Sequence, residues 1–189
     1  DGIINTEDYT YICNPWPKLT YGINIGLNWK GIDVKAQFSG VYGNDVYNAY
    51  ESWEYQFFSD YNTTEKIYDA SFFNGNGVTS VPRIGTVPDP DTNRNWGLVS
   101  DYHVQSGSYL RLKNLQVGYN LPDNALKSMP FKSLKVFVTA NNLFTITSYK
   151  GFDPEVPSRD GSILTQGLDF YSQRYPNSRI VLIGLNVKF

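Results

Sequence analysis

The stretch Leu19-Thr-Tyr-Gly-Ile-Asn-Ile-Gly-Leu-Asn-Trp29 alternates without a break. Leu19, Tyr21, Ile23, Ile25, Leu27 and Trp29 fall on one parity, and Thr20, Gly22, Asn24, Gly26 and Asn28 on the other. Successive side chains of an extended chain point to opposite faces, so this period of two predicts a strand with one apolar and one small polar face. Eleven residues at strand rise span roughly 36 Å, or roughly 28 Å along a membrane normal at about 40° of tilt. Soluble strands are commonly about five or six residues long. The apolar band of an outer-membrane barrel is roughly 25 Å tall, which this strand matches.

Four more segments carry the same period. Strands are expected at about 19–29, 33–42, 109–121, 133–143 and 179–189. In the second, Val34, Ala36, Phe38, Gly40 and Tyr42 oppose Asp33, Lys35, Gln37, Ser39 and Val41. In the third, Leu115, Val117, Tyr119 and Leu121 oppose Asn114, Gln116, Gly118 and Asn120. The fourth sets Leu134, Val136, Val138 and Ala140 against Lys135, Phe137, Thr139 and Asn141, a less clean split. The last sets Val181, Ile183, Leu185, Val187 and Phe189 against Ile180, Leu182, Gly184, Asn186 and Lys188. One irregularity stands out: Arg111 and Lys113 share the parity of Leu115 and Val117. Either the strand leaves the apolar zone there, or a bulge near Asn114 exchanges the faces.

Composition agrees with a β-rich chain. Of 189 residues, 18% are charged and 16% aromatic, including 15 Tyr, with 16 Gly. Helical bundles and coiled coils draw on Ala, Glu, Lys and Leu instead. A net charge of −2 supplies no attraction for nucleic acid, and a single Cys excludes an internal disulfide framework. No apolar run is long enough for a membrane helix, which leaves soluble sandwiches and membrane β-barrels.

The connections separate these two. Trp29-Lys-Gly-Ile-Asp33 is a tight turn, and Pro122 to Lys132 is short, with one helical turn expected between Asp123 and Met129. Between them lie long connections at about 43–108 and 144–178. Short turns alternating with long loops are the habit of outer-membrane barrels, whose periplasmic turns are short and extracellular loops long. With that orientation Trp29, Tyr119 and Phe189 form an inner interfacial girdle, and Tyr42 and Tyr109 an outer one. The fold class expected is all-β: antiparallel transmembrane β-barrel strands. A soluble β-sandwich that binds carbohydrate is the alternative. Five strands cannot close, because the smallest outer-membrane barrels have roughly eight and open edges in lipid leave backbone groups unpaired.

Several motifs, in order, resemble SusC/RagA-type TonB-dependent outer-membrane transporters. They are Pro17-Lys-Leu-Thr-Tyr-Gly22, Trp29-Lys-Gly-Ile-Asp33, Gly43-Asn-Asp-Val-Tyr-Asn48, the run Ser108–Pro122, the run Ser133–Val156, and the last strand to Phe189. The resemblance covers about 15–48 and 107–189. It implies that the chain is the last five strands of a plugged barrel of roughly 22 strands, with the plug lying outside these residues. It further implies import of glycans, oligosaccharides or peptides across a Bacteroidetes-type outer membrane. The implied partners are the rest of the barrel, a SusD-like surface lipoprotein, the TonB complex acting through the missing N-terminal part, and membrane lipid. No cofactor, no enzyme activity and no nucleic acid are implied.

Candidate sites are few. A helix is expected from Asp45 to Phe58, with Val46, Tyr50, Trp53 and Phe57 on one stripe. Tyr50, Trp53 and Phe57 would dock a lipoprotein lid, or pack on neighbouring loops. Trp96, Tyr149, Phe152 and Tyr171 would stack on sugar rings, or pack within the loops. Asp89-Pro-Asp-Thr-Asn93 opens like a calcium loop, but Arg94 stands where Gly is needed and Ser100 where a bidentate Glu is needed. Asp153-Pro-Glu155 reads as turn chemistry. His103 has no nucleophile placed beside it by any motif, and Cys13 reads as inert.

Overall fold

The computed structural model describes residues 6–54, 65, 99–158, 160–170 and 175–189. The chain divides into two compact units. One comprises Pro17–Asn44, Gly107–Pro154 and Tyr175–Phe189, here the sheet unit. The other comprises Asp1–Trp16, Asp45–Ser106 and Glu155–Arg174, here the loop unit.

The sheet unit contains β1 (Leu19–Trp29), β2 (Ile32–Tyr42), β5 (Tyr109–Asn120), β6 (Ser133–Asn141), β7 (Thr145–Thr147) and β9 (Ile180–Lys188). All pairings are antiparallel, in the order β1-β2-β5-β6-β9, with β7 beside the first residues of β5. Lys30 and Gly31 close the β1–β2 hairpin with φ of 47° and 88°. Two central residues at positive φ make the turn whose twist matches a right-handed hairpin, and glycine relieves one of the two strained positions. Between β5 and β6 a single turn of helix, α2 (Asp123–Leu126), buries Leu126. Among the described residues β1 and β9 each pair on one side only, so the sheet is open.

Register sets a continuous apolar face. Trp29, Ile32, Tyr119, Val136 and Leu185 lie in one row across the strands. Leu27, Val34, Val117, Val138 and Ile183 form the next, and Ile25, Ala36, Leu115, Ala140 and Val181 the third. Soluble sheets bury such a face. Here Leu27, Leu185 and Ile183 are 61%, 66% and 78% exposed, while Arg111 and Asp33 on the opposite face are 2% and 4% exposed. A large exposed apolar face behind a buried Asp and a buried Arg is the reverse of what a water-soluble sheet favours.

The irregular parity near Arg111 resolves as a bulge. Gln37 pairs with Asn114 but Phe38 pairs with Leu112, so Lys113 is the extra residue. Leu110 and Leu112 thereby join the face of Leu115, and Arg111 turns to the polar face opposite Ser39 and Thr145. A second irregularity lies at the same level. β6 stops at Asn141, Asn142 takes φ 50°, and the strand resumes as β7. Backbone bonds from Leu112 N–H to Phe144 O (3.1 Å) and Asn142 N–H to Lys113 O (3.0 Å) stitch the two together.

The loop unit contains β3 (Asp45–Asn48), α1 (Ala49–Glu54), β4 (Val104–Ser106) and β8 (Leu168–Asp169). β3 is central, antiparallel to β4 and parallel to β8. The expected helix from Asp45 is corrected here: Asp45–Asn48 is a strand, and Val46 lies fully buried in it rather than on a helical stripe. The helix starts one residue after Asn48, whose side-chain oxygen accepts from Glu51 N–H at 3.2 Å. That is a helix N-cap, and it stops the strand as it starts the helix. Val46, Ala49 and His103 form the buried centre. The edges of Tyr47 and Tyr102 meet the His103 ring at centroid distances of 5.8 and 5.1 Å. The long loops, of which the first was expected to open with a helix, therefore carry a small sheet of their own.

Candidate functional site

The bulge at Lys113 carries Arg111 to the polar face, off the parity that plain alternation would have given it among apolar side chains. Arg111 donates from Nη2 to Asp153 Oδ1 at 2.6 Å and from Nε to Thr145 Oγ1 at 2.8 Å. Its guanidinium lies 5.4 Å from the Tyr109 ring centre. Asp153 Oδ2 accepts from Asn177 Nδ2 at 2.9 Å. Both ends of the pair are buried, and charge-assisted hydrogen bonds offset the cost of taking the two side chains out of water. The network ties β5 to two returning segments, 145–153 and 175–179. A cleft of about 180 Å³ opens beside it, bounded also by Phe152, Asn142 and Arg179.

A second ion pair holds the opposite end of the same face. Lys135 Nζ on β6 reaches Asp33 on β2 at 2.7–2.8 Å, across the intervening strand β5. Gly118 makes this possible. A Cβ there would collide with Lys135 Cε and sit 2.7 Å from Asp33 Oδ1. Asn120 Nδ2 adds a longer bond to Asp33 at 3.4 Å. Among the described residues the polar face thus carries two salt bridges, set among Gly, Asn, Ser, Thr and Gln side chains.

The sequence candidates fall in different places. Phe152 is half exposed and lines the cleft. Tyr149 is buried, and its ring packs over Gly151, so it belongs to the loop's own core. Tyr50 is partly buried in α1 of the loop unit. Trp53 lies on α1 with its side chain outside the described residues, and Phe57, Trp96, Tyr171 and Asp89–Asn93 lie outside them altogether. Of the girdle residues, Trp29, Tyr42 and Tyr119 are exposed on the apolar face and Phe189 is exposed at the chain end. Tyr109 departs from its expected place. The bulge turns it to the polar face, where it is buried beside Arg111.

Arg111, Asp153, Asn177 and Arg179 were not readable as one site. Arg111 was visible only as a parity error, and Asp153 only as part of an Asp-Pro-Glu turn. A lone Arg inside an alternating apolar run is the one signal that could have drawn attention to the cluster. No group of three or more metal-ligating side chains occurs among the described residues.

No protein-family model matches the chain. It is 35% identical, over its whole length, to the TonB-dependent receptor P3 of Formosa agariphila, of which it spans 18%. It is 31% identical to the TonB-dependent receptor P26 of the same bacterium, spanning 19%. It is also 25% identical to the TonB-dependent receptor SusC of Bacteroides thetaiotaomicron, spanning 17%. Along its whole length the chain is similar to SusC/RagA-type TonB-dependent receptors. Among solved structures, the RagAB peptide importer in its open-open state aligns over 92% of the chain and 17% of that protein, at 27% identity and a TM-score of 0.69. The match falls on the C-terminal portion of these SusC/RagA-type proteins. They are receptors and transporters rather than enzymes. The chain spans less than a fifth of the length of the receptors it matches.

Proposed function

We propose that this chain is wall and rim of an outer-membrane transporter that imports large nutrients in a TonB-dependent way. Its five long strands are the last of a large plugged barrel, and β9 is the closing strand. The apolar face meets lipid, and the polar face, with its two salt bridges, meets the plugged lumen. The loop unit and the 144–178 connection lie outside the cell, where Tyr50, Trp53 and Phe57 contact a SusD-like lipoprotein lid and Phe152 contacts cargo. The cargo is a glycan, an oligosaccharide or a peptide.

One observation carries the reading: an apolar face crosses five strands with most of its large side chains exposed, while Asp33 and Arg111 on the other face are buried. Water would drive such a face inward at roughly 25 cal/mol per Å², whereas lipid leaves it in place. A soluble sandwich would cover it with a second sheet.

The test uses the full-length protein in outer membranes of its source. A band whose gel mobility changes on boiling is expected, together with a co-purifying lipoprotein. Single-Cys probes at Ile183 and Leu182, neighbours on opposite faces, should be quenched by a lipid-soluble and an aqueous quencher respectively. A boiling-insensitive soluble species, or equal aqueous quenching at both positions, overturns the reading.

A further inference from the structure

We propose that the cleft beside the Arg111–Asp153 pair is a subsite for one acidic sugar unit, its carboxylate held by Arg179 and its ring over Phe152. The proposal rests on the transport reading above and narrows the cargo that this cleft selects.

Four observations support it. The first is size. At about 180 Å³ the cleft is smaller than the roughly 300 Å³ at which drug-sized pockets begin, so it takes one monosaccharide and not a chain. The second is rigidity. Thr145 and Asn177 lock the Arg111–Asp153 pair from both ends, giving the cleft a preorganised polar floor. The third is charge. Arg111 and Asp153 neutralise each other at 2.6 Å. Arg179 on the rim is exposed and has no carboxylate partner among the described residues. The cleft is therefore cationic by one charge, and a guanidinium pairs with a carboxylate in a two-pronged, directional way. The fourth is shape. Phe152 is half exposed and lines the cleft together with Asn142 and Asn177. An apolar plane next to amide groups matches the C–H face and the hydroxyls of a pyranose ring. A peptide C-terminus offers the same carboxylate without that second match.

The placement adds to this. Arg111 and Thr145 stand at the end of the sheet farthest from the Lys30–Gly31 turn, on the polar face. In the proposed orientation that is the outer end of the lumen wall, where cargo first enters.

The experiment titrates full-length transporter in detergent, followed by saturation-transfer NMR. The probes are D-glucuronate, its neutral amide D-glucuronamide, and the tripeptide Gly-Gly-Ala with a free or amidated C-terminus. Glucuronate should bind at least about tenfold more tightly than glucuronamide, the gain of one charge-assisted hydrogen bond. Arg179→Gln should erase that preference, Arg179→Lys should restore part of it, and Phe152→Ala should weaken both sugars. Equal binding of the two sugars by the wild type, or a preference that survives Arg179→Gln, overturns the proposal. Binding of only the free-acid tripeptide, lost in Arg179→Gln, reassigns the cleft to peptide termini and overturns it as well. Heat-modifiability of each variant separates the two readings. A normal barrel without the glucuronate preference removes the subsite alone, whereas loss of the barrel signature in the wild type removes the transport reading.

Discussion

Arg111 and Asp153 meet at 2.6 Å although 42 residues separate them in the chain. Each is nearly inaccessible to solvent, at 2% and 6% exposure. A buried pair contributes little net stability over a well-packed apolar pair, because both charges were taken from water. Removing one partner is different, since the other is then left charged and alone. Arg111→Gln and Asp153→Asn in the full-length protein should each cost about 3–5 kcal/mol. The double change Arg111→Met with Asp153→Leu should recover much of that loss. The temperature at which gel mobility shifts reads the ranking, and additivity of the two single changes would contradict it.

The bulge at Lys113 decides which face Arg111 occupies. Deleting Lys113 joins Leu112 to Asn114, closes the ladder opposite Gln37 and Phe38, and keeps Arg111 on the polar face with Asp153. The deletion should therefore leave assembled barrel in the outer membrane close to the wild-type level. Exchanging two neighbours, Arg111→Leu with Leu112→Arg, instead puts an Arg on the lipid face, at about 2–4 kcal/mol at the bilayer midplane and about 0–1 near the interface, and takes away the partner of Asp153. That exchange should reduce assembled barrel severely. Quantitative blotting of heat-modifiable protein measures both.

Gly118 leaves the space through which Lys135 reaches Asp33. Gly118→Val would drive the Lys135 side chain aside and leave the buried Asp33 without its cation. Overpacking of this kind costs about 1–3 kcal/mol, and the loss of a buried partner adds to it. Gly118→Val should lower the heat-modification temperature more than Lys135→Met combined with Asp33→Asn does. The reverse order would show that the ion pair, and not the space, is what the glycine serves.

Cys13 tests the loop unit. Burial pushes its thiol above the usual range, and the Asp45 carboxylate pushes it further the same way. Less thiolate is then present at a given pH, and alkylation proceeds through the thiolate. Iodoacetamide labelling of native full-length protein at pH 8 should be slower than that of the unfolded protein, and should rise at higher pH than for a free thiol. Asp45→Asn should move that rise to lower pH. Equal labelling of native and unfolded protein would contradict the placement of Cys13. Tyr47, held up chiefly by burial and then by Cys13, should likewise ionise late in an absorbance titration.

Much of the sheet was legible because its causes are local. In β1 the alternation of Leu19 to Trp29 requires only that neighbouring side chains point apart. The Lys30–Gly31 turn is written in two residues, and the short helical turn after Pro122 in a handful more. The loop unit was not legible in the same way. Val46, Tyr50, Trp53 and Phe57 fit a helical stripe, yet Asp45–Asn48 is extended because β4 and β8 pair with it from far along the chain. Asn48, Tyr47 and Val46 form backbone bridges only once residues near 105 and 168 have arrived.

The sequence by itself determined the strand period, the tight hairpin, the two-faced character of each strand and the kinship that its ordered motifs share. Those are short-range properties, set by backbone geometry and by the alternation of apolar and polar side chains. Only the tertiary structure decided that Lys113 bulges, that Arg111 faces Asp153, Thr145 and the Asn177 behind them, and that Lys135 crosses over Gly118 to Asp33. Each of those depends on register between strands distant in the chain, and register is fixed by which faces can be buried or paired together, not by any one segment's preference.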